Sequence, residues 1–128
     1  MLLPLLFLRP TGQSMDITIS KFGDIGTRVV LAGKLDIIGA EKIATPLAAV
    51  ADARNNVVVD MVAVDFITSI GIRELVRAAK AVARASRILV LLDPNPVISQ
   101  ILVTAGLTHL LPIVRSEDEA RIVLSAKA

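Results

Sequence analysis

The sequence contains no cysteine, no tryptophan and no tyrosine, and phenylalanine occurs only three times in 128 residues. Without cysteine the chain can form no disulfide, no thiolate nucleophile and no cysteine-based metal site. The scarcity of aromatic rings removes the platforms on which unpaired bases stack, and the net charge is only +2. Both observations argue against nucleic acid as a partner. The core must therefore be built from aliphatic residues, which suits one α/β domain of this length.

Catalytic and cofactor-binding motifs are also missing from the sequence. It contains no P-loop, no G-x-G-x-x-G, no G-x-S-x-G and no H-E-x-x-H. The single histidine, His109, precedes a short apolar segment, and we interpret it as a surface or structural residue. Asp60 and Asp65 without a histidine make a poor metal site. The sequence therefore predicts a protein that is not an enzyme and that holds no metal or other cofactor.

The hydrophobic pattern alternates between strand-like and helix-like segments. It predicts strands over 16–20, 29–31, 57–60, 88–92 and 110–114. It predicts helices over about 40–53, 70–85 and 96–105, and a last helix that a capping box of Ser116 and Glu119 begins. Because strands alternate with helices from Val29 onward, we predict an α/β fold with a largely parallel sheet.

The first fourteen residues differ from the rest of the chain. Met1–Leu8 reads MLLPLLFL, which is shorter than the roughly 20 apolar residues of a membrane-spanning helix. It also lacks the basic start and the cleavage site of a signal peptide. Two interpretations remain open: translation starts naturally at Met15, or the segment is an apolar arm that packs on the domain or on a neighbouring chain. We therefore divide the chain into an extension over 1–14 and one domain over 15–128.

The most informative segment joins the third predicted strand to the second predicted helix. A loop carrying Asp60, Asp65 and Phe66 leads to Thr68 and Ser69, whose hydroxyl groups fall at the start of the helix. Such a position favours an N-cap oxygen. It also tolerates a phosphate, because a helix N-terminus carries roughly +0.5 charge and unpaired N–H groups. The local chemistry thus permits a phosphorylation switch, although a simple helix cap is the plainer interpretation.

The run V-D-F-I-T-S-I-G-I over 64–72 resembles the signature loop of STAS domains. That family includes anti-sigma factor antagonists and the cytoplasmic domains of sulfate transporters. Further similarities follow in order: G-K-L-D at 33–36, D-P-N-P at 93–96, A-G-L at 105–107 and the closing segment 116–124. The resemblance covers about residues 16 to 124. It implies a STAS-like α/β fold, with a mostly parallel sheet of about four or five strands and about four helices packed mainly on one side.

The resemblance also implies a role for the loop. Ser69 would be the phosphoacceptor. A partner with a kinase-type ATPase domain would bind the protein while Ser69 is unmodified, and the protein would be released once Ser69 is phosphorylated. The switch loop around it would comprise Asp36, Asp65, Phe66 and Gly71. Where many members have an aspartate before the acceptor, this chain has Thr68. This departure makes Thr68 a second candidate acceptor and leaves the identity of the kinase open.

A row of basic residues follows Ser69 on the same predicted helix. We call Arg73, Arg77, Lys80 and Arg84 the basic ridge. Their spacing of four, three and four residues places them on one narrow helix face. The ridge is either a solvated surface or a partner-binding surface for acidic residues. In the second case, a phosphate on Ser69 would repel those acidic residues or attract Arg73.

The third predicted helix has no charged side chain between residues 95 and 108. Its main apolar face comprises Ile98, Ile101 and Leu102. Val97 and Val103 lie outside that face, so the helix is apolar on more than one side. Such a helix is often covered, and the cover would be the N-terminal arm, a second copy of the chain or another partner. Monomer and homodimer both remain open.

Three functions agree with these observations. The leading hypothesis is a cytoplasmic anti-sigma factor antagonist, a phosphoprotein that regulates transcription by partner switching at Ser69. The second is a STAS accessory subunit of a membrane transporter, such as a phospholipid-type ABC importer. That subunit would bind an ATPase without phosphorylation and meet the membrane only through the complex. The third is a nucleotide-binding sensor module, which no phosphate-cradling motif supports.

Overall fold

The computed structural model describes residues 15–127, which form five strands and four helices. The strands are β1 (Met15–Phe22), β2 (Gly26–Leu35), β3 (Val57–Ile67), β4 (Leu89–Leu92) and β5 (Ile113–Val114). The helices are α1 (Ile37–Asp52), α2 (Ser69–Arg84), α3 (Pro96–Thr104) and α4 (Glu117–Lys127). The predictions made for the extension over 1–14 lie outside the described residues.

The strands form one sheet in the order β1-β2-β3-β4-β5. β1 runs antiparallel to β2, with Met15 opposite Gly33, and the other three pairs are parallel. Strands that are consecutive in sequence are therefore neighbours in the sheet, and a helix crosses between each parallel pair. The predicted α/β fold with a mostly parallel sheet of five strands and four helices is confirmed.

The helices lie unequally on the two faces of the sheet. α1, α2 and α3 contribute Ile43, Leu75 and Leu102 to the larger cluster of buried residues on one face. α4 packs on the other face, where Leu124 joins a smaller cluster around Phe22. The expectation that the helices pack mainly on one side is therefore confirmed.

β3 is longer than predicted, because the pattern of its second half is not that of a regular strand. The pairing register with β2 shifts twice, between Val30 and Ala32 and between Gly33 and Lys34. At each shift β3 contains one residue more than the facing part of β2. Two exposed residues follow each of the buried residues Met61 and Val64, so Met61, Val64 and Ile67 are buried at intervals of three. This spacing breaks the alternation by which a strand is recognised. Asp65 and Phe66, predicted in a loop, therefore belong to the strand.

Two further boundaries differ from the prediction. α1 begins at Ile37 and not near residue 40, because the carboxylate of Asp36 accepts a hydrogen bond from the Gly39 amide (2.9 Å) and caps the helix. β5 contains only two residues, because the preceding segment forms a turn in which Leu111 N–H donates to the Leu107 carbonyl (2.8 Å). Only the last part of the apolar run over 110–114 is therefore free to pair with β4.

Candidate functional site at the carboxyl edge of the sheet

The carboxyl ends of the parallel strands meet at one edge of the sheet, where ligand-binding and partner-binding residues of such folds commonly lie. We call this the carboxyl edge, formed by residues 35–38, 66–71 and 93–97. The helices α1, α2 and α3 all begin there. A backbone hydrogen bond from Thr68 N–H to the Leu35 carbonyl (3.1 Å) joins the end of β3 to the end of β2. The starts of α1 and α2 are therefore held side by side.

The two hydroxyl groups at this edge differ in their surroundings. Thr68 is the N-cap of α2: its Oγ1 accepts from Gly71 N–H (3.4 Å) and donates to the Leu35 carbonyl (3.3 Å). Ser69 is the first residue of α2 and is exposed. Within residues 15–127 its hydroxyl has no hydrogen-bond partner. The cap interpretation therefore applies to Thr68 and not to Ser69.

Gly71 allows the first turn of α2 to rest directly on the end of β2. A Cβ atom at this position would lie well inside contact distance of the Leu35 carbonyl oxygen and 2.6 Å from Leu35 Cγ. Any larger residue must push the helix away from the strand. The glycine thus determines how closely the segment with Thr68 and Ser69 approaches the sheet.

Asp65 and Phe66 belong to β3 and lie beside Lys34, which belongs to the neighbouring strand β2. The Lys34 ammonium is 3.8 Å from Asp65 Oδ1 and 5.3 Å from the centroid of the Phe66 ring. An exposed ion pair of this kind contributes little stability, and the contact with the ring adds about 0.5–1 kcal/mol. The contact orients the side chains next to Ser69, and Lys34 was not among the predicted site residues.

An apolar surface adjoins Ser69 that the sequence reasoning missed. Ile37 and Ile38, in the first turn of α1, are 60% and 64% exposed, and Phe66 is 46% exposed. Ile37 begins α1 as Ser69 begins α2, and the hydrogen bond from Thr68 to Leu35 joins the strand ends before them, so these residues lie on the same edge as the serine. The sequence signal for this surface was the pair of isoleucines directly after the capping Asp36. Two adjacent residues of a helix cannot both turn their side chains toward the core of the protein. Exposed aliphatic and aromatic side chains around one hydroxyl are typical of a protein-binding surface.

The basic ridge lies on the outer face of α2, as predicted. All four residues are exposed, while the opposite face buries Leu75, Ala79 and Val82. Arg77 pairs with Glu74 (3.2 Å), whereas the other three ridge residues form no ion pair within the described part of the chain. Within the described residues, most of the positive charge on this surface is therefore not paired with an acidic side chain.

The sequence prediction for α3 was correct in part. Asn95 caps the helix by accepting from Ile98 N–H (2.8 Å), and Pro96 follows as the first helical residue. Ile98 and Leu102 are buried. Ile101, predicted on the same face, is 38% exposed, because a residue three positions after Ile98 lies about 60° away from it around the helix.

The remaining candidates from the sequence are His109 and the acidic residues considered as metal ligands. His109 is exposed in a turn and takes no part in the carboxyl edge. In the stretch from 15 to 127, no group of three or more histidine, aspartate or glutamate side chains could hold a metal ion. Within the same residues, none of the helices combines the length and apolar character needed to cross a membrane.

The chain shares its fold with several solved proteins. An anti-sigma factor antagonist from Mycobacterium paratuberculosis superposes with a TM-score of 0.78 at 19% identity, covering 88% of this chain and 95% of that one. An anti-sigma factor antagonist (STAS) domain protein from Planctomyces limnophilus gives 0.74 at 19% identity, with coverages of 86% and 98%. The phosphorylated form of the Bacillus cell fate determinant SpoIIAA gives 0.66 at 15% identity, with coverages of 84% and 99%.

At these identities the structural similarity establishes the fold and not the function. No curated protein matches the sequence. The family model of the STAS domain matches residues 17–120, which is most of the chain and agrees with the resemblance seen in the loop over 64–72. This protein therefore belongs to the STAS domain family.

Proposed function

We propose that this protein is a cytoplasmic anti-sigma factor antagonist that acts by binding and not by catalysis. In this proposal an anti-sigma factor with a kinase-type ATPase domain binds the carboxyl edge and phosphorylates Ser69, which ends the interaction. Binding of the unmodified protein would free a sigma factor and so regulate transcription. Several structural neighbours are anti-sigma factor antagonists, and one is recorded in a phosphorylated form.

The observation that carries the proposal is the unequal use of the two neighbouring hydroxyls. A kinase needs an acceptor oxygen that it can reach and that no structural contact holds. Ser69 is exposed, whereas Thr68 is half-buried and contacts both Gly71 and Leu35. Phosphorylating Thr68 would require the cap of α2 to break, which costs about 1 kcal/mol in a typical helix. We therefore assign Ser69, and not Thr68, as the acceptor.

The surroundings of Ser69 support a protein partner and explain its release. Ile37 and Ile38 supply apolar area, and the ridge residue nearest in sequence, Arg73, supplies positive charge one helical turn away. A phosphoryl group would add about −1.5 to −2 charge beside the isoleucines. The partner would then have to bury that charge against an apolar contact, which is costly. Arg73 would also turn toward the phosphate and leave its acidic counterpart on the partner.

Affinity capture from the native cell lysate tests the proposal, with the full chain as bait. Wild type should recover a protein with a kinase-type ATPase domain, and Ser69→Glu should recover at least about tenfold less, equivalent to ~1.4 kcal/mol. Ser125→Glu, which adds the same charge to an exposed serine on α4, is the matched control and should behave as wild type. Equal recovery by wild type and Ser69→Glu contradicts the phosphoswitch.

Phosphorylation itself requires a second measurement. The captured kinase and ATP should add one phosphoryl group to wild type and to Thr68→Val, and none to Ser69→Ala, as measured by intact-protein mass spectrometry. Fragmentation should place the group on Ser69. Modification of Ser69→Ala but not of Thr68→Val would show that Thr68 is the acceptor.

The transporter subunit remains a second candidate, because the outer face of α3 is apolar and uncharged, as in a subunit of a stable complex. In that case wild-type and Ser69→Glu baits should both recover subunits of an ABC transporter. Ser69 would then need no modification.

A further inference from the structure

A cleft near the C-terminal end of α2 has no role in the function proposed for Ser69. It lies between α2, the start of β4 and the turn that precedes β5, and its volume is about 330 Å³. The first residue of α2 to line it, Ala79, is roughly 15 Å from Ser69 along the helix axis. The walls of the cleft are aliphatic and comprise Ala79, Ala83, Ile88, Leu89, Leu110 and Pro112. Three polar side chains complete the lining, those of Ser86, Arg87 and His109.

The three polar side chains all carry hydrogen-bond donors that no other group of the protein uses. Serine and arginine donate through O–H and N–H groups, and an imidazole has at least one N–H. Within the described residues, the side chains of Ser86, Arg87 and His109 form no hydrogen bond or ion pair, and no acidic side chain lines the cleft. By contrast, Asp52 and Glu74 line the groove between α1 and α2. The cleft therefore offers a cation and unoccupied donors to a ligand.

Hydrogen bonds hold the segments around the cleft in place. Arg87 N–H donates to the Val82 carbonyl (3.1 Å) and so fixes the turn that follows α2. Leu91 N–H donates to the Pro112 carbonyl (2.8 Å) and so holds the turn before β5 against β4. Because the backbone on both sides is already fixed, a ligand would bind with little loss of conformational freedom in the protein.

We propose that this cleft binds a small organic anion with an aliphatic body, of which a medium-chain carboxylate is the simplest. The anionic group would accept hydrogen bonds from Ser86, Arg87 and His109. The hydrocarbon would lie against the aliphatic walls, which contain no aromatic ring on which a planar ligand could stack. The cleft is at the lower end of the size range of ligand sites, which limits the ligand to a small molecule. This inference does not depend on the proposed function of Ser69.

The C-terminus of α2 lies close to the cleft and opposes an anion, because it carries about −0.5 charge. Arg84 and Arg87, which are both exposed at this end of the helix, outweigh that charge. Solvent screens the two arginines, and an exposed ion pair contributes little. We therefore expect a dissociation constant in the high micromolar to millimolar range.

The backbone at Ser86 separates ligand binding from stability. Its φ is +62°, in the left-handed region that favours glycine, and helices commonly end with glycine at such a position. Arg54 follows α1 in the same conformation (φ +61°), so the strain alone does not mark a site. Ser86→Gly should relieve the strain and remove the hydroxyl group together. It should therefore weaken ligand binding while the unfolding temperature stays equal to wild type or rises.

An NMR titration of the isotope-labelled full chain with octanoate tests the inference. Amide shifts should concentrate in residues 86–89 and 109–111 and should saturate. Acetate supplies the charge without the chain, and octanamide supplies the chain without the charge. Each should bind at least about tenfold more weakly than octanoate, because each lacks one of the two interactions.

Three substitutions locate the site. Arg87→Gln should weaken octanoate binding at least about fivefold, since it removes the cation of the cleft. Arg54→Gln is the matched control, because it replaces an exposed arginine that does not line the cleft, and it should bind as wild type does. Ala83→Leu should block the cleft, and the protein should still fold because Ala83 is exposed.

Four results would overturn the inference. Octanoate could cause no saturable shifts. Acetate could bind as well as octanoate, which would show an adventitious ion only. The shifts could concentrate in residues 96–105, which would place the hydrocarbon on the outer face of α3. Finally, Arg54→Gln and Arg87→Gln could weaken binding equally, which would show attraction to the overall positive charge and not to the cleft.

Discussion

Replacing Gly71 by alanine tests whether α2 rests on β2 as closely as the structure indicates. In an isolated helix this change would help, because alanine stabilises a helix by about 1 kcal/mol relative to glycine. Here the added Cβ would overlap the backbone oxygen of Leu35 and lie 2.6 Å from its Cγ atom. Leu35 is fully buried, so neither atom can move into open space.

The expected cost follows from what must shift. Overpacking of this kind costs about 1–3 kcal/mol. Lifting the first turn of α2 also weakens the two hydrogen bonds from Thr68 to the Leu35 carbonyl, which contribute about 0.5–1.5 kcal/mol each. Subtracting the gain in helix propensity leaves a net destabilisation of about 2 kcal/mol. For a chain of this length that corresponds to a fall in Tm of roughly 6–10 °C.

Urea unfolding followed by circular dichroism measures this change in the free energy of unfolding. Gly23→Ala is the control, because an added Cβ there has nothing within 4 Å and only the positive φ of +55° opposes it. It should cost about 1 kcal/mol. If Gly71→Ala were as stable as wild type or more stable, the inferred contact between α2 and β2 would be wrong.

The stability changes of four further substitutions can be measured in the same unfolding experiment. Asn56→Ala should cost about 2–4 kcal/mol, because the buried amide donates to the Ile25 carbonyl (3.0 Å) and accepts from Ile88 N–H (3.0 Å), and both groups would lose their partner; a loss below 1 kcal/mol contradicts this. Arg115→Lys should cost about 1 kcal/mol or more, because lysine cannot reproduce the guanidinium contacts that hold the loop between β4 and α3; an unchanged midpoint refutes it. Thr68→Ala should cost about 1–2 kcal/mol and Ser69→Ala less than about 0.5 kcal/mol, and the reverse order would show that Ser69 is the cap.

The sequence predicted the fold well because its helix ends and buried strands have strong local signals. Asn95 and Pro96 start α3, and the Ser116 hydroxyl oxygen accepts from Glu119 N–H (3.1 Å) at the start of α4, both as predicted. The second hydrogen bond of the capping box differs. The Glu119 carboxylate accepts from the backbone amide of Arg115 (2.6 Å) and not from that of Ser116. β4 is buried along its whole length, as its uninterrupted run of aliphatic residues indicated.

The parts that could not be predicted depend on contacts between segments distant in sequence. The bulges of β3 exist only relative to β2, so the three-residue spacing of Met61, Val64 and Ile67 has no meaning in the isolated sequence. Lys34 joins the site for the same reason, because only strand pairing brings it beside Asp65 and Phe66. Asn56 likewise bonds to residues that are 31 and 32 positions away.

The assignment of the two hydroxyls shows how a distant contact decides a local choice. By sequence alone, both Thr68 and Ser69 are residue types that cap helices, and serine is the more favoured of the two. The Leu35 carbonyl accepts from both the amide and the hydroxyl of Thr68, which fixes that residue in the cap position. Since a helix has one N-cap, Ser69 must then be its first helical residue, and its hydroxyl is left exposed. The contact that attaches α2 to the sheet is therefore the same contact that leaves Ser69 accessible.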